Sequence, residues 1–319
     1  MTPAPEPHGV PAPATAPEDP RLGHWLAAQA DPARAEVVLV GFPSDAGVGR
    51  NGGRVGAAHG PRALREALYR LTPDARLGAR FTGLLAHTAD VGDVPVSGDV
   101  EADQAALGRT IAPWLAAGKT VVVLGGGHET AFGHLLGYGA ARPDVLNLDA
   151  HLDVRPVGAA GAHSGSPFRQ ALETGRVGRY TVLGAQPHSV AAAHAAFVEA
   201  RGGRVVWREA ATPGRLAEEV AALARPTLAT LDLDAVRAAD APGVSAPNPD
   251  GLAEADWLAA AEALGRSPHV RSLDIVELCP PHDVDGRTAR LAALTVWRFL
   301  RGRAEDQKRA SRAIRFASR

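Results

Sequence analysis

Short β-branched apolar runs recur along this chain, each closed by a glycine or an acid, and stretches with helical spacing lie between them. Glu36-Val37-Val38-Leu39-Val40-Gly41 predicts a buried strand. The same reading predicts strands at Thr120–Leu124, Asp144–Leu148, Tyr180–Gly184, Gly203–Trp207, Thr227–Leu231 and Val270–Ile275. Helical spacing runs through residues 61–68, where Pro61 suits a first helical turn, and through 101–118, 188–201, 214–224, 253–265 and 286–302. Strands alternating with helices imply βαβ units and a parallel sheet covered on both faces. The expected fold class is therefore α/β, a three-layer α/β/α sandwich with a mainly parallel central sheet. No linker or internal repeat divides residues 21–319, which read as one catalytic domain. Residues 1–20 are rich in Pro and Ala with little to bury, and are expected to form a disordered leader.

Composition narrows the function classes. A net charge of −1 and 5% aromatic residues give no sign of a nucleic-acid or membrane-surface partner. The lone cysteine, Cys279, forms neither an internal disulfide nor a multi-cysteine metal site, and reads as a buried or bystander thiol in a reducing compartment. No apolar run is long enough to span a bilayer, and no signal-peptide core is present at the start, so a cytoplasmic protein is expected. The basic stretch Arg301–Arg319 reads as a solvated helix or frayed tail, with subunit contact as the alternative.

In an open parallel sheet, ligands bind beyond the carboxyl ends of the strands. Three of those ends carry acids and imidazoles. In Asn147-Leu148-Asp149-Ala150-His151-Leu152-Asp153, residues two apart share a side, so Asp149 and His151 point together and Asp153 joins them as the chain leaves the sheet. Leu231-Asp232-Leu233-Asp234 repeats the spacing, and Gly125-Gly126-Gly127-His128-Glu129 sets an imidazole after a glycine turn. Taken singly, an Asp-x-Asp is commonly a turn or cap and a histidine after glycines is commonly structural. Together they crowd four carboxylates and two imidazoles, a concentration of charge that a divalent cation relieves. His128, Asp149, His151, Asp153, Asp232 and Asp234 are too many ligands for one ion and suit two ions that share carboxylates. Oxygen-rich ligation without thiolate favours Mn2+ over a structural zinc. Such an ion pair makes hydroxide from water near neutral pH. The zincin pattern His-Glu-x-x-His is absent because position 132 is Phe, and no Gly-Lys-Ser/Thr follows the glycines to make a phosphate loop.

These motifs resemble the ureohydrolase family, which includes arginases, agmatinases and formimidoylglutamases. The resemblance runs from about Glu36 to Leu300. It rests on Gly-Gly-Gly-His-Glu (125–129), Asp-Ala-His-Leu-Asp (149–153), Leu-Asp-Leu-Asp (231–234) followed by Ala-Pro-Gly-Val-Ser-Ala-Pro (241–247), and Asp-Ile-Val-Glu-Leu (274–278). The resemblance implies that His128, Asp149, Asp153 and Asp232 hold one manganese and Asp149, His151, Asp232 and Asp234 the other, with Asp149 and Asp232 bridging. It implies that Glu277 faces the cationic amidine or guanidine of the substrate, as a carboxylate accepting paired N–H bonds can. It also implies a homo-oligomer, a trimer or hexamer.

Within the family the chain is most similar to formimidoylglutamases. Gly127-His128-Glu129 stands where agmatinases carry Asp-His-Ser, and Ser164-Gly165-Ser166-Pro167-Phe168-Arg169 stands where arginases and agmatinases carry His-Gly-Met/Thr-Pro. Arg155 after the aspartate motif, the Gly47–Arg54 segment and Pro61 fit the same branch. This implies hydrolysis of N-formimidoyl-L-glutamate to L-glutamate and formamide, a step of histidine degradation, with Glu277 orienting the amidinium. Ser164 stands in the place of the family's proton-shuttle histidine, and His163 beside it points elsewhere. The proton for the leaving amine then comes from Asp153, Glu277 or water. A dicarboxylate substrate needs cationic anchors; Arg155 is the first choice, then Arg169 and the Arg50-Asn51 loop, with Ser164 beside them. The alternatives are a guanidino-compound hydrolase that releases urea, and a non-catalytic metal-binding protein. His24, His59, His87, His134, His188, His194, His269 and His282 lie outside the motifs and read as structural or exposed.

Overall fold

The computed structural model describes residues 4–27 and 31–317, with side chains described through residue 305. Eight strands form one sheet: β1 (Val37–Phe42), β2 (Thr88–Asp93), β3 (Thr120–Gly125), β4 (Asp144–Leu148), β5 (Tyr180–Ala185), β6 (Arg204–Trp207), β7 (Thr227–Asp232) and β8 (Val270–Val276). Their order is β2-β1-β3-β8-β7-β4-β5-β6, and every pair is parallel.

The near-continuous apolar runs follow from burial on both sides. Successive residues of a strand face opposite ways, so one run feeds two cores. Val37, Leu39, Val122, Leu124, Leu146 and Leu148 join the larger core, with the helices Gly60–Leu68, Ala79–Ala86, Pro213–Ala221, Glu254–Arg266 and the start of Arg287–Ala317. Their neighbours Val38, Val40, Val121, Val123 and Val145 face the opposite layer, which holds the helices Val100–Ala116, Thr130–Leu136, Pro167–Glu173 and Ala192–Glu199. This is the expected three-layer α/β/α sandwich. The only tryptophan with no exposed surface, Trp257, packs in the larger core and donates its indole N–H to Thr295 Oγ1 at 2.8 Å.

Two features differ from the sequence reading. The edge strand β2, Thr-Ala-Asp-Val-Gly-Asp, has a composition poor for strands and is stabilised by tertiary contacts instead. Asp90 and Asp93 of β2 hold Arg65, whose guanidinium is fully buried: Nε and Nη2 reach the two Asp90 oxygens at 2.8 and 2.9 Å, and Nη1 reaches Asp93 at 2.6 Å. Tyr69 donates to the same Asp90 carboxylate at 2.9 Å.

The expectation of a disordered leader over residues 1–20 fails for Glu6–Val10; residues 1–3 lie outside the described residues. Glu6 exchanges two backbone hydrogen bonds with Asp93 at 2.7 and 2.8 Å, His8 meets the Tyr69 hydroxyl at 3.1 Å, and Val10 is buried. Bulk composition hid this because an edge strand offers unpaired N–H and C=O groups that a short extended segment can use without an apolar run of its own. The basic C-terminal stretch continues the last helix, Arg287–Ala317, and its side chains beyond residue 305 lie outside the described residues. Among the described residues, no helix is long and apolar enough to cross a membrane.

Replacing Arg65 with Met leaves the Asp90 carboxylate buried and without its cation. The expected loss is about 3–5 kcal/mol of stability, measured by urea denaturation. A loss below about 1 kcal/mol would show the ion pair to be dispensable.

Candidate metal centre and active site

The carboxyl ends of the four adjacent central strands, β3, β8, β7 and β4, supply the site. Their registers are in phase: Leu148 pairs with Leu231, Leu231 with Ile275, and Ile275 with Leu124. The residues that follow, Asp149, Asp232, Val276–Glu277 and Gly125–His128, therefore emerge at one level. Gly126 lies where the β3 turn touches the β1 turn; a Cβ there would sit 1.9 Å from the Ser44 carbonyl oxygen. That close approach explains one of the three glycines before His128.

Six side chains converge as expected. Ligand atoms of His128, Asp149, Asp153 and Asp232 lie within 4.8 Å of one another, as do those of Asp149, His151 and Asp234. His128 Nδ1 is 2.9 Å from Asp153, 3.0 Å from Asp232 and 3.4 Å from Asp149. His151 Nδ1 is 3.0 Å from Asp234 and 3.5 Å from Asp149. Asp149 belongs to both groups. Asp232, expected to bridge as well, groups with the first set only, and its Oδ1 accepts the Asp234 backbone N–H at 2.8 Å.

The groups fit a pair of cations. His128 Nδ1 is buried and makes no hydrogen bond, although three carboxylates surround it. Its other nitrogen explains why. The Thr230 hydroxyl donates to Asp274 Oδ1, so its oxygen accepts from His128 Nε2–H, 2.9 Å away, and Asp274 Oδ2 meets His134 Nδ1 at 2.9 Å. In the neutral ring this fixes the tautomer that turns the Nδ1 lone pair toward the carboxylates. Asn147 braces Asp149 in the same manner, donating to its Oδ2 at 2.9 Å and to the Tyr180 hydroxyl at 3.1 Å. Phe168 stacks on Tyr180 and sets its edge against the His128 ring, which closes the apolar side of the site.

The charges are strongly coupled. Burial works against a cationic His128, but Asp149, Asp153 and Asp232 outweigh it and hold its pKa well above the usual value. Asp234 raises His151 well above its ordinary value despite burial. Burial opposes ionisation of Asp149, but His128 and His151 outweigh it and hold this carboxyl below the usual range. Burial, then the charge of Asp149, raises Asp153; burial, then the charge of Asp234, raises Asp232 well above the usual range.

Glu277 stands beside the cluster. Its Oε1 accepts the His128 backbone N–H at 2.7 Å, its Oε2 accepts the Ser245 hydroxyl, and burial pushes its pKa up to about 7. Asp153 and Glu277 both have positive φ, +46° and +67°. Non-glycine residues in this region carry strain of about 1–3 kcal/mol and are held there by their surroundings. Here the turn swings each carboxylate back over the strand ends.

A cavity of about 190 Å³ opens over the cluster, with room for a small molecule. His151, Asp153, Asp232, Asp234 and Glu277 line one part; Asn51, Arg155 and Ser164 line another. These last three are linked. Asn51 donates to Ser164 Oγ at 3.1 Å and accepts from Arg155 Nη1 at 3.1 Å. Arg169 does not line the cavity; it pairs with Glu173 at 2.6 Å and covers the Phe197 ring. His163 points its Nε2 toward the Pro156 carbonyl at 3.4 Å and does not line the cavity either. Cys279 is buried.

Three residues were in view in the sequence without their partners. Ser245 sits within the quoted 241–247 motif, so its position was visible and its role was not. His134, read as structural or exposed, is buried at the end of the Thr230–Asp274 chain. Glu129 is fully buried, accepts the Gly47 N–H at 2.8 Å, and is raised by burial, then by the charge of Glu277, to about 8.

Residues 35–301 match the Arginase family. The chain belongs to this family. It is 40% identical over 283 residues to a formimidoylglutamase of Chromobacterium violaceum, covering 83% of this chain and 87% of the relative. It is 42% identical over 277 residues to a formimidoylglutamase of Nocardia farcinica, covering 82% and 85%. The crystal structure of Trypanosoma cruzi formiminoglutamase with Mn2+ superposes with a TM-score of 0.81 at 33% identity, over 90% of this chain and 99% of that one. The family membership and the likeness to formimidoylglutamases expected from the motifs are both found.

Two predictions follow from these charges. In the metal-free protein, Glu277 and Glu129 have folded pKa values of about 7 and about 8 against an ordinary 4.5. Their contribution to stability is full below the unfolded value and is lost as pH rises through the folded one. His128 and His151, also raised, act in the same direction. The Tm of the metal-free protein is therefore expected to fall as pH rises through these values. Ligation needs both imidazoles neutral and the aspartates ionised, so Mn2+ loading at pH 7 should release protons, read by calorimetry in buffers of different ionisation enthalpy. A flat Tm profile, or uptake without proton release, contradicts this charge assignment. Separately, Thr230→Val removes the acceptor for His128 Nε2–H and should weaken Mn2+ binding about 10–100-fold in a chelator competition; unchanged affinity would show that the ring is held by packing alone.

Proposed function

We propose that this protein is a binuclear manganese hydrolase that cleaves N-formimidoyl-L-glutamate to L-glutamate and formamide. The carrying observation is that six metal-type ligands converge, and four of them, His151, Asp153, Asp232 and Asp234, line with Glu277 a cavity whose other wall is Arg155, Asn51 and Ser164. Relatives about 40% identical over most of their length, named formimidoylglutamases, support the same substrate.

His128, Asp149, Asp153 and Asp232 would hold one manganese, and Asp149, His151 and Asp234 the other. When bound, the pair supplies Lewis-acid stabilisation of developing negative charge and a water acidic enough to act as a nucleophile near neutral pH. The chain's own groups do the rest. The Glu277 carboxylate accepts the paired N–H groups of the amidinium, and Ser245 and the His128 N–H keep it from rotating. A cation in contact with Glu277 favours its ionised form, opposing the upward shift from burial. Arg155 and Ser164 take the carboxylates of the glutamate portion, with Asn51 holding both. Water adds to the formimidoyl carbon, the C–N bond to the glutamate nitrogen breaks, and Asp153 or Glu277 returns the proton to that nitrogen. The same reading makes the enzyme a cytoplasmic homo-oligomer, a trimer or hexamer, which light scattering would measure.

The deciding experiment offers the Mn2+-loaded protein N-formimidoyl-L-glutamate, agmatine, a guanidino acid and arginine, and assays formamide against urea. Formamide from the first substrate is expected. Urea from a guanidino compound, or no turnover at all, would overturn the assignment. Arg155→Ala should raise KM for N-formimidoyl-L-glutamate about 10-fold or more, with kcat little changed; an unchanged KM would remove Arg155 from the substrate wall.

A further inference from the structure

The wall formed by Arg155, Asn51 and Ser164 stands on two loops that have no regular structure in common. Asn51 follows the short helix Ala46–Arg50; Arg155 and Ser164 flank the excursion between β4 and the helix Pro167–Glu173. Residues 155–160 of that excursion are exposed, while Ala162 and Ser164 beyond them are buried. A polar attachment holds it at Ala162 and runs through a residue that does not line the cavity.

Glu101 lies in the first turn of Val100–Ala116, a helix anchored in the core by Leu107 and Ile111. Its Oε1 accepts the Ala162 N–H at 2.6 Å and its Oε2 accepts from Arg50 Nη1 at 2.8 Å. The same Arg50 nitrogen donates to the Ala162 carbonyl at 3.1 Å. Both backbone groups of Ala162 are thus gripped, one by the helix and one by the residue next to Asn51. Gly161 belongs to this grip: at φ +89°, a Cβ would lie 2.4 Å from Glu101 Oε1 and 2.9 Å from Arg50 Nη1. Partial burial acts to raise the pKa of Glu101, but Arg50 and the Ala162 N–H outweigh it and hold the carboxyl below the ordinary range.

We propose that Glu101 is a positioning residue for substrate recognition: by tying Ala162 to Arg50 it sets the loop of Arg155 and Ser164 against the loop of Asn51. This rests on the reading that those three residues take the substrate's carboxylates. The pair is half exposed, so its removal changes global stability little. Its effect falls on the placement of groups that need sub-ångström alignment.

The test compares Glu101→Ala and Glu101→Gln with the unmodified chain, all loaded with Mn2+. Measured are KM and kcat on N-formimidoyl-L-glutamate, the Kd of L-glutamate by calorimetry, manganese content and Tm. Glu101→Ala is expected to raise KM and the glutamate Kd together by about 10-fold, with kcat within about threefold and manganese content unchanged. Glu101→Gln keeps an acceptor for the Ala162 N–H and should recover most of that loss. Gly161→Ala should reproduce the Glu101→Ala result by pushing the carboxylate away. In an Arg155→Ala background, Glu101→Ala should cost less than it does alone, because only the placement of Ser164 and Asn51 is left to lose. A KM and Kd within about twofold of the unmodified chain, or a loss seen mainly in kcat or metal content, overturns the proposal. If Arg155→Ala raises KM and Glu101→Ala does not, this inference alone fails. If Arg155→Ala leaves KM unchanged, the carboxylate-binding wall fails and this inference with it.

Discussion

Four aspartates and two histidines meet at the centre of a sheet, and the energetics of that meeting govern the rest of the molecule. Carboxylates so close and so buried oppose one another's ionisation, which is why Asp153 and Asp232 are pushed up while Asp149, between two imidazoles, is held down. Without a metal, the imidazoles carry the neutralising protons. With it, divalent charge does so and the protons leave. The protein invests structure in keeping these groups together: two acids in left-handed backbone conformations, a buried Thr230–Asp274–His134 chain behind one imidazole, and Asn147 behind the shared aspartate.

The site divides into a rigid part and a tied part. The ligands and Glu277 stand on strand ends whose spacing is fixed by the sheet hydrogen bonds. Arg155, Asn51 and Ser164 stand on loops, and the Arg50–Glu101 pair holds one of them at Ala162. This division suits a family in which the hydrolytic centre is shared and the substrate differs, since loop attachments can change without disturbing the metal ligands.

The sheet was largely legible. Seven of the strands carry short apolar runs, as burial on both faces favours in the interior of a parallel sheet, although Arg271, Ser272 and Asp274 interrupt β8. The eighth, β2, was not, because its stability comes from Arg65 on a distant helix and from the pairing of Glu6, neither of which is a local property. The six candidate metal ligands were legible because they lie at the ends of apolar runs, five of them at a two-residue spacing and His128 after a glycine turn. Arg169 was misplaced for the opposite reason: a motif neighbour on a helix turned its guanidinium to Glu173 and Phe197 and away from the cavity. The partners of Ser245, Glu129 and His134 were not legible, since nothing in a sequence states which distant group a side chain will meet.

Sequence by itself determined the type of most elements and the acids and imidazoles offered at the strand ends, because alternation, burial and side-chain chemistry are local. Tertiary structure decided that they form one centre. The last two strands, β7 and β8, insert between β3 and β4, so four ends spread over about half the chain become neighbours in a common register. Strand order is a non-local choice, settled by how helices pack on the two faces and by the in-phase hydrogen bonding of parallel strands, and no residue pattern within a single strand encodes it.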